Sequence, residues 1–297
     1  MSLDGVVIID KPEGITSHDA VREVKRSLSA AKVGHTGTLD PFATGVLVMG
    51  INQGTKLIPF LDKTEKAYRG VMVLGVSTDT LDLTGKVIET RDSSHVTEQD
   101  VRRVFSRFMG DILQSPPLFS ALKVDGVRLY KLARSGVPAP QPQARPVHIR
   151  LFRLVDFSPP RVGFEVICSP GTYIRSLAAD IGRMLDVGAY LERLTRTASG
   201  PFTIEEAYPL SEFVALGLSG YGVVTGLREA VADMTEIPIS GQEAALVANG
   251  GFLSSSQPRA IRPGATVKLV CDGRLVALAR VVDQDIKANL KPFKVFV

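Results

Sequence analysis

Gly34-His35-Thr36-Gly37-Thr38-Leu39-Asp40-Pro41-Phe42-Ala43-Thr44-Gly45 lies between a helical pattern and the apolar run Val46-Leu47-Val48-Met49-Gly50-Ile51. From residue 30 to 45 neither helical nor strand periodicity is present. The glycines at 34, 37 and 45 permit positive φ and a tightly folded backbone. Val33, Leu39 and Phe42 can anchor it, so the stretch reads as an ordered functional loop rather than a disordered one. Asp40 sits at its centre, biased away from helix by Pro41. On its own, an Asp-Pro pair reads as the cap of a turn. A phosphate-cradling loop is not encoded, because Gly54-Thr55-Lys56 has its lysine on the wrong side of the threonine.

Working outward, Gly5 to Ile9 reads as a strand and Asp10-Lys11-Pro12-Glu13-Gly14 as a loop. Ser17 is positioned to cap a helix with Val21, Val24 and Leu28 on one face. Downstream, Val46 to Ile51, Lys66 to Gly75, Lys86 to Thr90, Pro146 to Phe157 and Arg161 to Cys168 read as strands. Thr97 and Asp100 form a capping box for a helix carrying Val101, Val104, Phe105 and Phe108. Asp125-Gly126 marks a hairpin, and residues 137 to 146, with four prolines, an extended loop. A helix starts at Gly171-Thr172, with Ile174, Leu177, Ala178, Ile181 and Leu185 on one face. Leu191 and Leu194 follow at helical spacing. Beyond Met234 the pattern shifts to short strands: Ala265 to Val270, Leu275 to Val282 and Pro292 to Val297, with a turn at Asp272-Gly273.

The 297 residues, 44% apolar and 22% charged, are those of an ordinary globular protein with room for a large core. No apolar run approaches the ~20 residues of a membrane span. The N-terminus lacks the features of a signal peptide, so a cytoplasmic protein is expected. Cys168 and Cys271 read as small hydrophobes, and His18, His35, His95 and His148 show no metal-ligand spacing. The net charge of +4 points to a polyanionic partner only weakly. Its distribution says more: Gly126 to Val155 lacks acidic residues and holds Arg128, Lys131, Arg134, Arg145, Arg150 and Arg153. That run suits either a solvated surface or a nucleic-acid contact.

Several segments carry a resemblance when taken together. They are Asp10-Lys11-Pro12-Glu13-Gly14-Ile15-Thr16-Ser17, the loop from Gly34 to Leu47, Lys66-Ala67-Tyr68, and Gly75 through Thr78-Asp79-Thr80 to Asp82 and Gly85. Ser120-Ala121-Leu122-Lys123-Val124-Asp125-Gly126, Gly171-Thr172-Tyr173-Ile174-Arg175-Ser176-Leu177 and Ser199-Gly200-Pro201-Phe202 complete the set. In order and content they resemble the TruB-type tRNA pseudouridine synthases, over most of residues 5 to 202. A local departure is Ser169-Pro170, where many relatives carry a basic residue, which bears on an RNA contact and not on the chemistry.

The resemblance implies an α+β (mixed) fold, with a large sheet flanked by helices in a catalytic domain at residues 1–233. A small PUA-like β-barrel RNA-binding module would follow at 234–297, a likeness that is much weaker. It implies that uridine in the T arm of tRNA, at position 55, is isomerised to pseudouridine, with no cofactor and no metal. Asp40 would be the catalytic carboxylate, kept ionised by Arg175. Tyr68 would stack on the extruded base and help move a proton, and Tyr173 and Leu194 would line its pocket. His35 would take the space that the extruded base leaves. Lys11 and Pro12 would shape the loop that braces Asp40. Phosphate contacts from the run Arg128 to Arg153, and from Arg259, Arg262 and Lys268, would position the RNA. Compact length and the lack of lysine-rich tails favour a stand-alone monomer, with no membrane and no obligatory protein partner, over a guide-dependent subunit. The rival reading is a tRNA-folding or ribosome-assembly factor in which catalysis is secondary.

Overall fold

A computed structural model describes residues 4–120, 123–124, 127–129, 142–255, 261–283 and 288–296. Its frame is a mixed sheet of eleven strands. The main path runs Tyr208–Pro209, Gly5–Lys11, Thr44–Ile51, Ala189–Ser199, Lys66–Leu74, Arg161–Cys168, Arg145–Ser158 and Gly110–Gln114. Thr44–Ile51 and Ala189–Ser199 are parallel, so a chain crossover places them side by side.

The inner strands are apolar on both sides because both faces of the sheet are covered. Val7, Ile9, Leu47, Met49 and Ile51 face one core, with the helices Ser17–Ser27, Glu98–Arg107, Ile174–Met184 and Leu210–Leu216. Their neighbours Val6, Ile8, Val46 and Val48 face a second core, with Leu57, Leu61, Phe202 and Val231.

Among the described residues the expected PUA-like β-barrel is not closed. After residue 234 five strands make one open sheet, in the order Glu236–Pro238, Thr266–Cys271, Arg274–Asp283, Ala288–Val295 and Leu253–Ser255. Its first and last strands are three residues each and do not pair with one another. A closed barrel has one interior, whereas this sheet buries both faces. Val267, Leu269, Ala277 and Ala279 pack under the helix Gly241–Ala248, through Val247. Leu275, Leu278 and Phe296 join the second core of the large sheet.

Other local expectations changed too. Ala189–Ser199, the central strand, was concealed by a bulge between Leu191 and Arg193. The bulge resets the period-two alternation, so that Leu191 and Leu194, three apart, both face the core and mimic a helix. Ser17 is not the cap of its helix. Thr16 is extended and shares a reciprocal capping box with Asp19, which frees the Ser17 hydroxyl. Val33–His35 pairs with the Thr44–Ile51 strand, so the irregular loop starts at Thr36 and not at residue 30. Lys123–Val124 pairs with Val127–Arg128 about the expected Asp125-Gly126 turn, whose residues lie outside the described set. So do Lys131, Arg134 and Arg259 and residues 137–141 of the expected loop; Arg145 already begins a strand. Cys168 is buried and Cys271 is half-buried, and both are free.

Candidate active site

Asp40 is held from two sides by the segment that follows the first strand. Ser17 Oγ donates to Leu39 O at 3.1 Å and accepts from Leu39 N at 2.9 Å. Beyond Asp40, Pro41 O accepts from Gly14 N at 2.8 Å and from Lys11 Nζ at 3.4 Å. Lys11 is fully buried, and its ammonium also donates to Pro12 O (2.7 Å) and Ile15 O (2.9 Å). Three carbonyls use its three protons, so one point charge draws two loops together. Burial lowers the Lys11 amine to about 8, with Asp40, Glu13 and Asp10 opposing the fall.

Arg175 is the second residue of the helix Ile174–Met184, whose N-cap residue is Tyr173. Its Nε donates to Asp40 Oδ2 at 2.8 Å and its Nη2 to Asp40 Oδ1 at 3.2 Å, a bidentate pair. The remaining donors are also used, Nη1 by Thr80 O (2.8 Å) and Nη2 by Phe119 O (2.9 Å). The Arg175 side chain is 5% exposed and that of Asp40 37%, so the guanidinium is locked while the carboxylate opens outward. Burial raises the Asp40 carboxyl above its ordinary value, and Arg175 opposes this; Asp82 adds to the rise and Lys11 subtracts from it. The guanidinium therefore limits the rise and does not depress the carboxyl below the usual range.

Tyr68 is buried on the strand Lys66–Leu74, in one core with Leu39, Phe42 and Leu194. Burial pushes its phenol up to about 12 against the pull of Arg196, which donates to its oxygen, so the phenol keeps its proton. Tyr173 is half-buried; its N–H donates to Gln114 Oε1 and its carbonyl accepts from Gln114 Nε2. The Arg145 guanidinium lies 5.0 Å over its ring. His35 lies at the end of the strand Val33–His35, in the field of Arg196, Asp62 and His18. Burial lowers its pKa, and its buried Nδ1 has no partner among the described residues.

Two further groups were given no role from the sequence, although Asp82 stands in one of the matching segments. Asp82 is buried, and Oδ2 lies 3.5 Å from Arg175 Nη1, while Oδ1 accepts from Thr80 Oγ1, Thr84 N and Thr84 Oγ1. The alternation Thr80-x-Asp82-x-Thr84, an acid between two hydroxyls, is the signal that could have revealed it. Arg196 is buried beneath the loop, and only the parity of a strand that the bulge disguises would have exposed it.

The basic surface is partly neutralised. Arg150 pairs with Glu65 at 2.8 Å, and Arg69 and Arg153 share Glu165. Lys268 is not at an RNA-facing turn: it is buried, donates to Val231 O and Ala232 O, and pairs with Glu236. Ser169 exchanges hydrogen bonds with the backbone of His148, tying the departure from the expected motif to the Arg145–Ser158 strand. Among the described residues no helix is long and apolar enough to cross a membrane, and no three His, Cys, Asp or Glu side chains are grouped to hold a metal.

Residues 25–174 match the model of the TruB family pseudouridylate synthase (N terminal domain). A relative from Geotalea uraniireducens, tRNA pseudouridine synthase B, is 43% identical across 99% of this chain and 98% of its own. The chain belongs to the TruB family. A second TruB-family relative, tRNA pseudouridine synthase B of Geobacter sulfurreducens, is 42% identical over 99% of this chain and 100% of its own. Among solved structures, a chain in a crystal structure of a Cbf5-Nop10-Gar1 complex superposes with a TM-score of 0.78 at 28% identity, covering 99% of this TruB-family chain and 85% of that chain.

Proposed function

We propose that this TruB-family protein is a tRNA pseudouridine synthase that acts on uridine 55 in the T arm. The N1–C1′ bond of the uridine breaks, the base turns over, and C5 bonds to C1′. The C5 proton leaves and N1 gains one, so the reaction is an isomerisation with balanced atoms. The observation that carries this reading is the Asp40–Arg175 pair, a partly open carboxylate gripped at both oxygens by a buried guanidinium. Such a group supplies fixed negative charge beside the sugar and base of an extruded nucleotide.

In this reading Asp40 is the catalytic carboxylate and Arg175 its counter-charge. Tyr68, a neutral phenol, stacks on the base and passes a proton; Tyr173 and Leu194 line the pocket. His35, a neutral imidazole with an unused ring nitrogen, occupies the space left in the arm. Arg150 and Arg153 exchange their surface carboxylates for phosphates, a low-cost exchange because exposed pairs contribute little. The protein works as a monomer. Incubation with an unmodified tRNA transcript, followed by mapping of the product, tests all of this: pseudouridine is expected at position 55 alone, and an unaltered transcript would reject the reading.

A further inference from the structure

Arg196 carries a charge that the roles above leave unused. It is 1% exposed and ranks among the largest fully buried side chains. Its Nε donates to Val46 O at 2.7 Å and its Nη2 to Gly37 O at 3.1 Å. Among the described residues no carboxylate pairs with it. A guanidinium buried without an acid is costly, and an apolar side chain of similar volume would fill such a site at less cost.

The two carbonyls flank Asp40, one on each side of the loop. Two loop glycines lie against the same residue. Gly37 has φ +62°, and a Cβ there would lie 3.3 Å from Arg196 Nη1, as well as 3.1 Å from Asp62 Oδ1 and from Lys66 Cε. Gly45 has φ +100°, and a Cβ there would collide with the Arg196 backbone, 2.8 Å from its nitrogen. Thus the side chain of Arg196 reaches both ends of the loop, and its backbone packs against the second. Across the sheet, Arg196 is the direct Cα partner of Tyr68.

We infer that Arg196 is a positioning residue, whose guanidinium spans the mouth of the Gly37–Gly45 loop and fixes where Asp40 stands relative to Arg175 and Tyr68. The inference rests on the reading of Asp40 as the catalytic carboxylate. An arginine suits this work because its planar fork reaches two diverging carbonyls, where a lysine offers one compact ammonium. Lys11 and Ser17 hold the residues next to Asp40; Arg196 holds the ends of the loop.

The test compares wild type with Arg196→Met, Arg196→Lys and Gly37→Ala. The last leaves Arg196 intact and strains the start of the loop, where φ is +62° and a Cβ is tight against Asp62, Lys66 and Arg196. Single-turnover pseudouridine formation on an unmodified tRNA transcript, RNA affinity and thermal melting are measured, together with the titration of the Asp40 carboxyl by carbon-13 NMR. A loop displaced by about 1 Å loses on the order of 100-fold in rate. That loss is expected for Arg196→Met and Gly37→Ala, and a smaller one for Arg196→Lys, with RNA affinity unchanged within a few-fold. The Asp40 titration should shift upward as its contact with Arg175 loosens, which a merely destabilised fold would not produce. Folded variants with a wild-type rate and an unmoved Asp40 titration would overturn the inference, as would a rate loss that follows only the unfolded fraction. Should Arg196→Met fail to fold, Gly37→Ala and Arg196→Lys decide. A wild-type protein that makes no pseudouridine, alongside a shifted Asp40 titration in the variants, would leave the brace standing and remove the enzymatic reading instead.

Discussion

Arg175 donates to both carboxylate oxygens of Asp40 although the two residues are 135 positions apart in the chain. The contact joins the glycine-rich loop to the first turn of the helix Ile174–Met184. It sets one open carboxylate against one enclosed guanidinium, and the functional reading turns on that asymmetry.

Asp40→Asn keeps the size of the side chain and removes its charge. Pseudouridine formation should disappear, while RNA affinity stays within a few-fold, because phosphate contacts dominate binding. Nucleotide mapping and filter binding measure the two quantities. Comparable turnover by the Asn variant would remove Asp40 from the chemistry.

Arg175→Met should move the acid limb of the pH–rate profile. In the proposed reading Asp40 acts as an anion, so activity is expected to fall as pH drops through its pKa. Burial already raises that pKa, and Arg175 is the main force opposing the rise. Without the guanidinium the carboxyl climbs further, and the limb shifts to higher pH. Single-turnover rates at a series of pH values test this; an unmoved limb would show that Arg175 does not control the charge of Asp40.

Ser17→Ala removes a hydroxyl that satisfies both backbone groups of Leu39. Leaving buried polar groups unpaired costs about 1–3 kcal/mol. Urea unfolding should report a loss in that range. A stability equal to wild type would mean that Leu39 finds other partners.

Lys11→Met should alter how stability responds to alkali. The Lys11 amine titrates near 8 in the folded protein and near 10.5 as an unperturbed side chain. Between those values the unfolded chain binds the extra proton, so this group makes stability rise with pH across that window. The Met variant lacks the contribution. The difference in melting temperature, wild type minus variant, should therefore increase from pH 8 towards pH 10, and a flat difference would contradict the assigned titration.

Arg150→Glu with Arg153→Glu should weaken RNA binding and flatten its dependence on salt. Each lost phosphate contact lowers the salt slope by about 1. An unchanged slope would place the RNA elsewhere.

Much of the fold is encoded locally, and so it was legible. The alternation in Lys66–Leu74 and Arg161–Cys168, and the capping box of Thr97 and Asp100, depend on neighbours a few residues away. Ala189–Ser199 was missed because one bulged residue breaks the alternation that identifies a strand. The open C-terminal sheet was misjudged for a different reason. Strand patterns specify hairpins, but closure depends on what covers the second face, and here the large sheet covers it through Leu275, Leu278 and Phe296. Lys268 and Arg196 look like surface cations in the sequence, since nothing within a few residues indicates that carbonyls await them in the interior.

By itself the sequence determined the family, the order of the main elements and the candidate residues Asp40, Tyr68 and Arg175, because motif content and short-range periodicity are properties of the chain. Only the tertiary structure decided which charges meet. Asp82 joins Arg175, Lys11 draws two loops together, and Arg196 spans the ends of the Asp40 loop. The balance between burial and ion pairing at Asp40 was settled there as well, since desolvation depends on everything that packs around a group and not on its neighbours in sequence.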